Sequence, residues 1–152
     1  MKLRFFQLAK RLTEFSDHHQ HSIGSVIVKK NRVISVGHNS LKTHTHSPHG
    51  FKSTHSEFKA CWGANPKDLK GASIYVYRQR RDGSLALARP CSSCYSFIKS
   101  CGIKYVYYTD YDSYKMEKVS WQVLRILFVQ RDIPQTTRVQ IFKELFIMSL
   151  LA

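Results

Sequence analysis

Two short segments hold the residue types from which a hydrolytic metal centre is built. Thr54-His55-Ser56-Glu57 supplies an imidazole and a carboxylate, and Pro90-Cys91-Ser92-Ser93-Cys94 supplies two thiols. One imidazole and two thiolates are three good ligands for Zn2+, and because a structural site closes with a fourth Cys or His, three protein ligands leave a position open to water. Zinc lowers the pKa of such water toward neutrality. A carboxylate that does not ligate the metal can then move protons between the water and a leaving group. Glu57 is the residue placed for that work.

The order His-x-Glu followed by Pro-Cys-x-x-Cys resembles the cytidine and deoxycytidylate deaminase superfamily, most closely its deoxycytidylate deaminase-like members. Gly24-Ser25-Val26-Ile27-Val28, followed by Val33-Ile34-Ser35-Val36-Gly37-His38-Asn39, is similar to the family's first hairpin, and the likeness runs from about residue 5 to residue 108. It implies that His55, Cys91 and Cys94 bind Zn2+ and that Glu57 shuttles protons during attack on C4 of cytosine with loss of ammonia. It also implies that Asn39 contacts the sugar, and that the fold is α/β, a three-layer α/β/α sandwich around a central mixed sheet.

The same residues have plainer readings. Thr54-x-x-Glu57 is also a capping box, in which the two side chains satisfy free amides at a helix start. Residues two apart on a helix do not face each other, so His55 and Glu57 address one metal only if His55 sits at the first turn, where such a cap would put it. Cys91 and Cys94 read as a redox pair only in a thioredoxin-like setting, and none surrounds them. A Cys-x-x-Cys that opens a helix puts both sulfurs on one face, where the positive helix terminus favours thiolates.

A chain of 152 residues with 43% hydrophobic content can bury one core, so residues 1–152 read as one deaminase domain with a C-terminal helical extension from about 119 to 152. Cys61 and Cys101 fall in apolar helical stretches, which suits a reducing compartment better than a secreted disulfide framework. Without a signal-peptide pattern or an apolar run of membrane-spanning length, the expectation is a cytoplasmic protein with no membrane partner.

The elements that must position the motifs follow from periodicity. Phe5, Leu8, Ala9, Leu12 and Phe15 recur at helical spacing. Residues 26–29 and 32–37 are β-branched runs joined across Lys30-Asn31, a hairpin tip, and a polar loop follows to residue 53. A helix over 55–63 buries Phe58, Ala60, Cys61 and Trp62 and is stopped by Asn65-Pro66. Strands over 73–78 and 103–109 flank a turn at Arg81-Asp82-Gly83-Ser84 and a second motif-bearing helix over 91–101, ended by Gly102. Alternating strands and helices give a layered α/β sheet. Residues 121–129 are continuously apolar and are taken as helix, and Thr136 or Thr137 caps a last helix burying Val139, Ile141, Phe142, Leu145, Phe146 and Leu150. Association through helices beside the active site is common in the superfamily, so a homo-oligomer is expected by analogy.

His44, His46 and His49 lie in the loop ahead of the first motif, where some deoxycytidylate deaminases hold a second zinc. Residues 39–53 contain neither a thiolate nor a carboxylate to complete one, which favours solvated loop histidines.

Charge bears on the substrate. With 24 Lys and Arg against 10 Asp and Glu, the chain concentrates anions at its surface, and Lys42, Lys52 and Arg89 stand near the motifs to meet a phosphate. Three readings stay open. The chain deaminates a free cytosine nucleotide, deoxycytidylate to deoxyuridylate. Alternatively it acts on cytosine or adenine within single-stranded DNA or RNA, using Arg78 to Arg81 for the backbone and Tyr105, Tyr107, Tyr108, Tyr111 and Tyr114 to stack bases. Or it is a non-catalytic zinc module that binds nucleic acid. Intact Glu57 argues against the third, and tyrosines in such a run more often pack a strand.

Overall fold

The computed structural model describes residues 1–18, 20–43, 53–80 and 82–120. The expected helices over 121–129 and beyond Thr136, the histidines His44, His46 and His49, and also Lys52 and Arg81, lie outside the described residues.

The sheet has five strands in the order β2-β1-β3-β4-β5. They are β1 (Ser22–Lys29), β2 (Arg32–His38), β3 (Ser73–Gln79), β4 (Tyr105–Thr109) and β5 (Tyr114–Lys118). Only the β3–β4 pair is parallel, so the sheet is mixed as expected. The hairpin tip is Lys30-Asn31, with φ of 47° and 70°. Two successive positive φ values make the type I′ geometry whose twist matches the flanking strands. Helices α1 (Leu3–Leu12), α2 (Ser56–Trp62), α3 (Pro66–Leu69) and α4 (Ser92–Ser100) complete the described elements, with a 3-10 turn at Thr13–Phe15.

Both faces of the sheet are covered, which explains why β1 and β3 are buried almost throughout. Val26, Val28, Tyr75 and Tyr77 point to one face and pack with Phe5, Phe6 and Ala9 of α1. Ile27, Ile74, Val76 and Val106 point to the other and pack with Ala60 and Cys61 of α2 and Ile98 of α4. The period-2 alternation of a strand thus separates two apolar clusters, and the helices form the outer layers.

Close approach is secured by glycine. A Cβ on Gly24 would lie 2.0 Å from the Ala9 carbonyl oxygen of α1. On the opposite face, a Cβ on Gly37 would lie 2.3 Å from the Ser56 oxygen of α2.

Several sequence expectations are corrected. Phe15 is 66% exposed, because the helix tightens to a 3-10 turn before reaching it, and Phe6 takes the buried place instead. Trp62 is 43% exposed at the end of α2, with its ring stacked beside Phe58. α2 stops at Trp62 with Gly63 as its C-cap, and Asn65 instead starts a further helix: its side chain accepts from the Lys67 amide and Pro66 opens α3. β5 is a strand that the periodicity did not announce, since only Tyr114 and Glu117 are partly buried in it.

Candidate metal centre and its surroundings

His55 is the N-cap of α2, with extended backbone at φ −79° and ψ 147°. Cys91 is the N-cap of α4, and its sulfur accepts from the Cys94 amide at 3.5 Å. Two helix starts therefore converge. His55 Nδ1 lies 3.3 Å from Cys94 Sγ and 3.8 Å from Cys91 Sγ, and all three ligand atoms fall within 4.8 Å of one another. Zinc bonds of about 2.0 Å to nitrogen and 2.3 Å to sulfur at a tetrahedral angle separate N and S by about 3.6 Å. The two observed distances bracket that value, so the three residues fit one zinc ion.

Electrostatics agree with the fit. Cys94 is buried while Cys91 is exposed, and burial, then the Glu57 carboxylate and Cys91, push the Cys94 thiol far above the ordinary thiol range. A thiolate there needs a cation beside it.

The expected capping box does not form. Thr54 Oγ1 donates to the Lys42 carbonyl at 2.6 Å, and Thr54 pairs with Ser40 through two backbone hydrogen bonds of 2.9 Å. Helix α2 starts one residue later, which frees Glu57 from the cap and leaves His55 at the mouth of the helix. Glu57 is 4% exposed and its Oε2 accepts from Ser56 Oγ at 3.0 Å. With that hydrogen so engaged, Ser25 is the donor in the 2.7 Å Ser25–Ser56 contact. This buried hydroxyl pair is a part of the site that the motifs did not reveal; a polar residue on the α2-facing side of β1 was its sequence signal.

The segment leading to Cys91 is pinned from below by Thr109, at the end of β4. Its hydroxyl donates to the Ala86 carbonyl at 2.8 Å and accepts from the Arg78 amide at 3.1 Å, while its carbonyl accepts from Ala88 at 2.8 Å. Asn39 is buried at the opposite rim. Its Nδ2 donates to the His21 carbonyl at 2.6 Å and its Oδ1 accepts from the Ile23 amide at 2.8 Å. One amide hydrogen and one lone pair remain for another partner. Arg89, expected to meet a phosphate, instead forms a bidentate pair with Glu117 at 2.7 and 3.1 Å, and Tyr108 donates to the same carboxylate at 2.7 Å. The tyrosine run is mostly packing: Tyr107 stacks on Tyr75 at 4.5 Å and Tyr114 lies 4.4 Å from Phe6, leaving Tyr111 exposed.

A mixed sheet thus brings an imidazole and two thiols at two converging helix starts into a group that could hold a metal ion, with a buried carboxylate on the first of those helices. The profile of the cytidine and deoxycytidylate deaminase zinc-binding region matches residues 1–110, and the chain belongs to that family. Zn2+ is the cofactor that this family's site and the His/Cys/Cys group share. The chain is 31% identical over 118 residues to an uncharacterized deaminase in the luxG 3′ region of Aliivibrio fischeri, covering 68% of this chain and 69% of that one. In fold it is similar to the dCMP deaminase of cyanophage S-TIM5, with a TM-score of 0.57 at 19% identity over 72% of this chain and 86% of that chain. The same cyanophage enzyme in complex with dCMP and dUMP gives a TM-score of 0.53 at 20% identity, covering 71% and 82%. The cytidine deaminase of Burkholderia pseudomallei gives 0.54 at 16% identity, covering 78% and 93%.

Proposed function

We propose that the chain is a zinc-dependent hydrolase that deaminates cytosine in a free nucleotide, converting deoxycytidylate to deoxyuridylate with release of ammonia. The observation that carries this reading is the buried Glu57 carboxylate, whose charge acts on Cys94 of the His55–Cys91–Cys94 triangle. Helix capping does not account for Glu57, because Thr54 turns away from it to the Lys42 carbonyl. That removes the best reason to regard the domain as a non-catalytic zinc module.

His55, Cys91 and Cys94 would hold the ion, and zinc supplies the Lewis acidity that brings the pKa of water toward neutrality. Ser56, backed by Ser25, holds Glu57 Oε2. Oε1 is left to take a proton from the attacking water and hand it to the base. A C4–O bond forms first; the carboxylate then carries the second proton of that water to the amino group, and the C4–N bond breaks to release ammonia. Asn39 offers its remaining hydrogen and lone pair to the sugar hydroxyl. A second reading, deamination within single-stranded DNA or RNA, draws support from exposed Tyr111 with the Arg80 guanidinium 5.4 Å from its ring centroid. The whole chain, including the extension from about 119, is read as one domain that acts in the cytoplasm as a homo-oligomer. Its four thiols are free, and no helix among the described residues is long and apolar enough to cross a membrane.

The test is product chromatography on zinc-loaded protein given cytidine, deoxycytidine, deoxycytidylate, deoxycytidine triphosphate, and DNA or RNA oligomers. Deoxyuridylate should form fastest. Glu57→Gln should slow turnover by about 10²- to 10⁴-fold with zinc retained. Deamination confined to oligomers, or a near-normal rate in Glu57→Gln, would overturn the reading.

A further inference from the structure

An open cleft of about 420 Å³ is lined by Gln20, Arg78, Gln79 and Arg80, where β3 ends beside the segment that precedes β1. Among the described residues, every lining side chain is a hydrogen-bond donor, two are permanent cations, and none is a carboxylate. Neither arginine takes part in an ion pair among the described residues. The nearby Asp82, whose charge is felt by Arg80, spends its Oδ1 on its own loop, accepting from the Ser84 amide at 2.9 Å and from the Ser84 hydroxyl at 2.6 Å.

Arg78 is held rigid. Its Nη1 donates to the Leu87 carbonyl at 3.3 Å and its Nη2 to His21 Nδ1 at 2.7 Å. Arginine cannot accept, so His21 receives that bond as a neutral ring, and burial followed by the Arg78 charge holds its pKa below the ordinary imidazole value. The other guanidinium N–H groups of Arg78 remain to be offered in a fixed fork, the geometry suited to phosphate oxygens.

Two hydrogen bonds of Arg78 tie the cleft to segments that hold the deaminase site. His21, which receives the Arg78 bond, also gives its carbonyl to Asn39 Nδ2 at 2.6 Å. Leu87, which receives the other, lies on the strap that Thr109 pins ahead of Cys91.

We propose that Arg78 and Arg80 form the phosphate subsite of this site, selecting a nucleoside monophosphate over the nucleoside; this rests on the nucleotide deaminase reading above. Two guanidiniums match the charge of a phosphate monoester, about −1.5 to −2 at neutral pH. A phosphodiester carries one charge per unit, and among the described residues the rest of the lining is the neutral amides of Gln20 and Gln79.

The experiment measures equilibrium binding of deoxyuridylate, deoxyuridine and a single-stranded DNA oligomer to full-length zinc-loaded wild type, Arg78→Ala and Arg80→Ala. Wild type should prefer deoxyuridylate to deoxyuridine. That ratio should fall about 10- to 100-fold in Arg78→Ala, as expected for loss of charged hydrogen bonds. Arg80→Ala, which loses no backbone brace, should lower it by a smaller factor and keeps the test open if Arg78→Ala fails to fold. An unchanged ratio in Arg80→Ala together with a folded, unchanged Arg78→Ala overturns the subsite, as does an oligomer that binds wild type more tightly than deoxyuridylate and is the ligand weakened in the variants. Deoxycytidylate turnover by wild type alongside an unchanged ratio fails the subsite alone. Selective deoxyuridylate binding that the variants lose, in a protein that turns over no cytosine compound, fails the deaminase reading and keeps the subsite.

Discussion

Gly37 and Ser56 are in contact as backbone against backbone: a Cβ on Gly37 of β2 would stand 2.3 Å from the Ser56 carbonyl oxygen and 2.6 Å from the Ala60 nitrogen. The first turn of α2 carries His55 and Glu57, so this contact fixes how far the imidazole stands from the two sulfurs on α4.

Gly37→Ala should therefore damage the metal site before it damages the rest of the fold. The clash is with helix backbone and cannot be relieved by a rotamer change, so α2 must shift outward. Overpacking of this kind costs about 1 to 3 kcal/mol. Zinc content by atomic absorption and the denaturation midpoint should both fall; a variant with full zinc occupancy would show that α2 is not seated by this glycine.

Cys91→Ser and Cys94→Ser separate metal loss from helix loss. Serine is a good N-cap, so Cys91→Ser keeps the start of α4, where Cys91 now accepts from the Cys94 amide, while removing a thiolate. Because zinc binding is coupled to folding, Cys91→Ser should lose zinc and melt at the temperature of metal-free wild type. Cys94→Ser should melt lower still, since it also places a hydroxyl at a position only 1% exposed. Equal zinc content in wild type and both variants would remove the pair from the metal site.

Removal of zinc should expose a pH dependence at the alkaline side. In the metal-free fold the Cys94 thiol is pushed up by burial, Glu57 and Cys91, whereas in the unfolded chain it titrates near the ordinary thiol value of about 8.5. A pKa raised by folding gives stability that is complete below the unfolded value and is lost as pH rises above it. Metal-free protein should lose denaturation free energy from about pH 8.5 upward, and Cys94→Ala should lessen that slope while the buried Cys61 thiol, also pushed up, keeps its share. A flat profile in metal-free wild type would contradict the burial argument.

How much of this was legible in the sequence depends on distance along the chain. His55 with Glu57 and Cys91 with Cys94 are local pairs, and the hairpin tip at Lys30-Asn31 is a local conformation, so composition and spacing sufficed for them. Contacts between distant residues were not legible. Thr54 belonged to a local capping box until Lys42, 12 positions away, accepted its hydroxyl. Arg89 looked available for phosphate until Glu117 of β5 took its Nε and Nη2, and β5 itself is an edge strand too polar to show a period. Ser25 and Ser56 are 31 positions apart and meet where Gly37 lets α2 close on its face of the sheet.

Asn39 is the residue whose role the structure makes harder to isolate, because its amide joins β1 and β2 before any sugar arrives. Asn39→Ala leaves the His21 carbonyl and the Ile23 amide without partners. A buried group left unsatisfied costs about 1 to 3 kcal/mol, so the urea midpoint should fall as well as kcat/KM. Asn39→Asp divides the two effects: it keeps an acceptor for the Ile23 amide but turns a second acceptor toward the His21 carbonyl. If Asn39 holds the sugar, kcat/KM per folded molecule should fall by about ten- to a hundredfold in Asn39→Ala, beyond what unfolding explains. An Asn39→Ala protein that is less stable yet has unchanged kcat/KM per folded molecule would make Asn39 a strand tie alone.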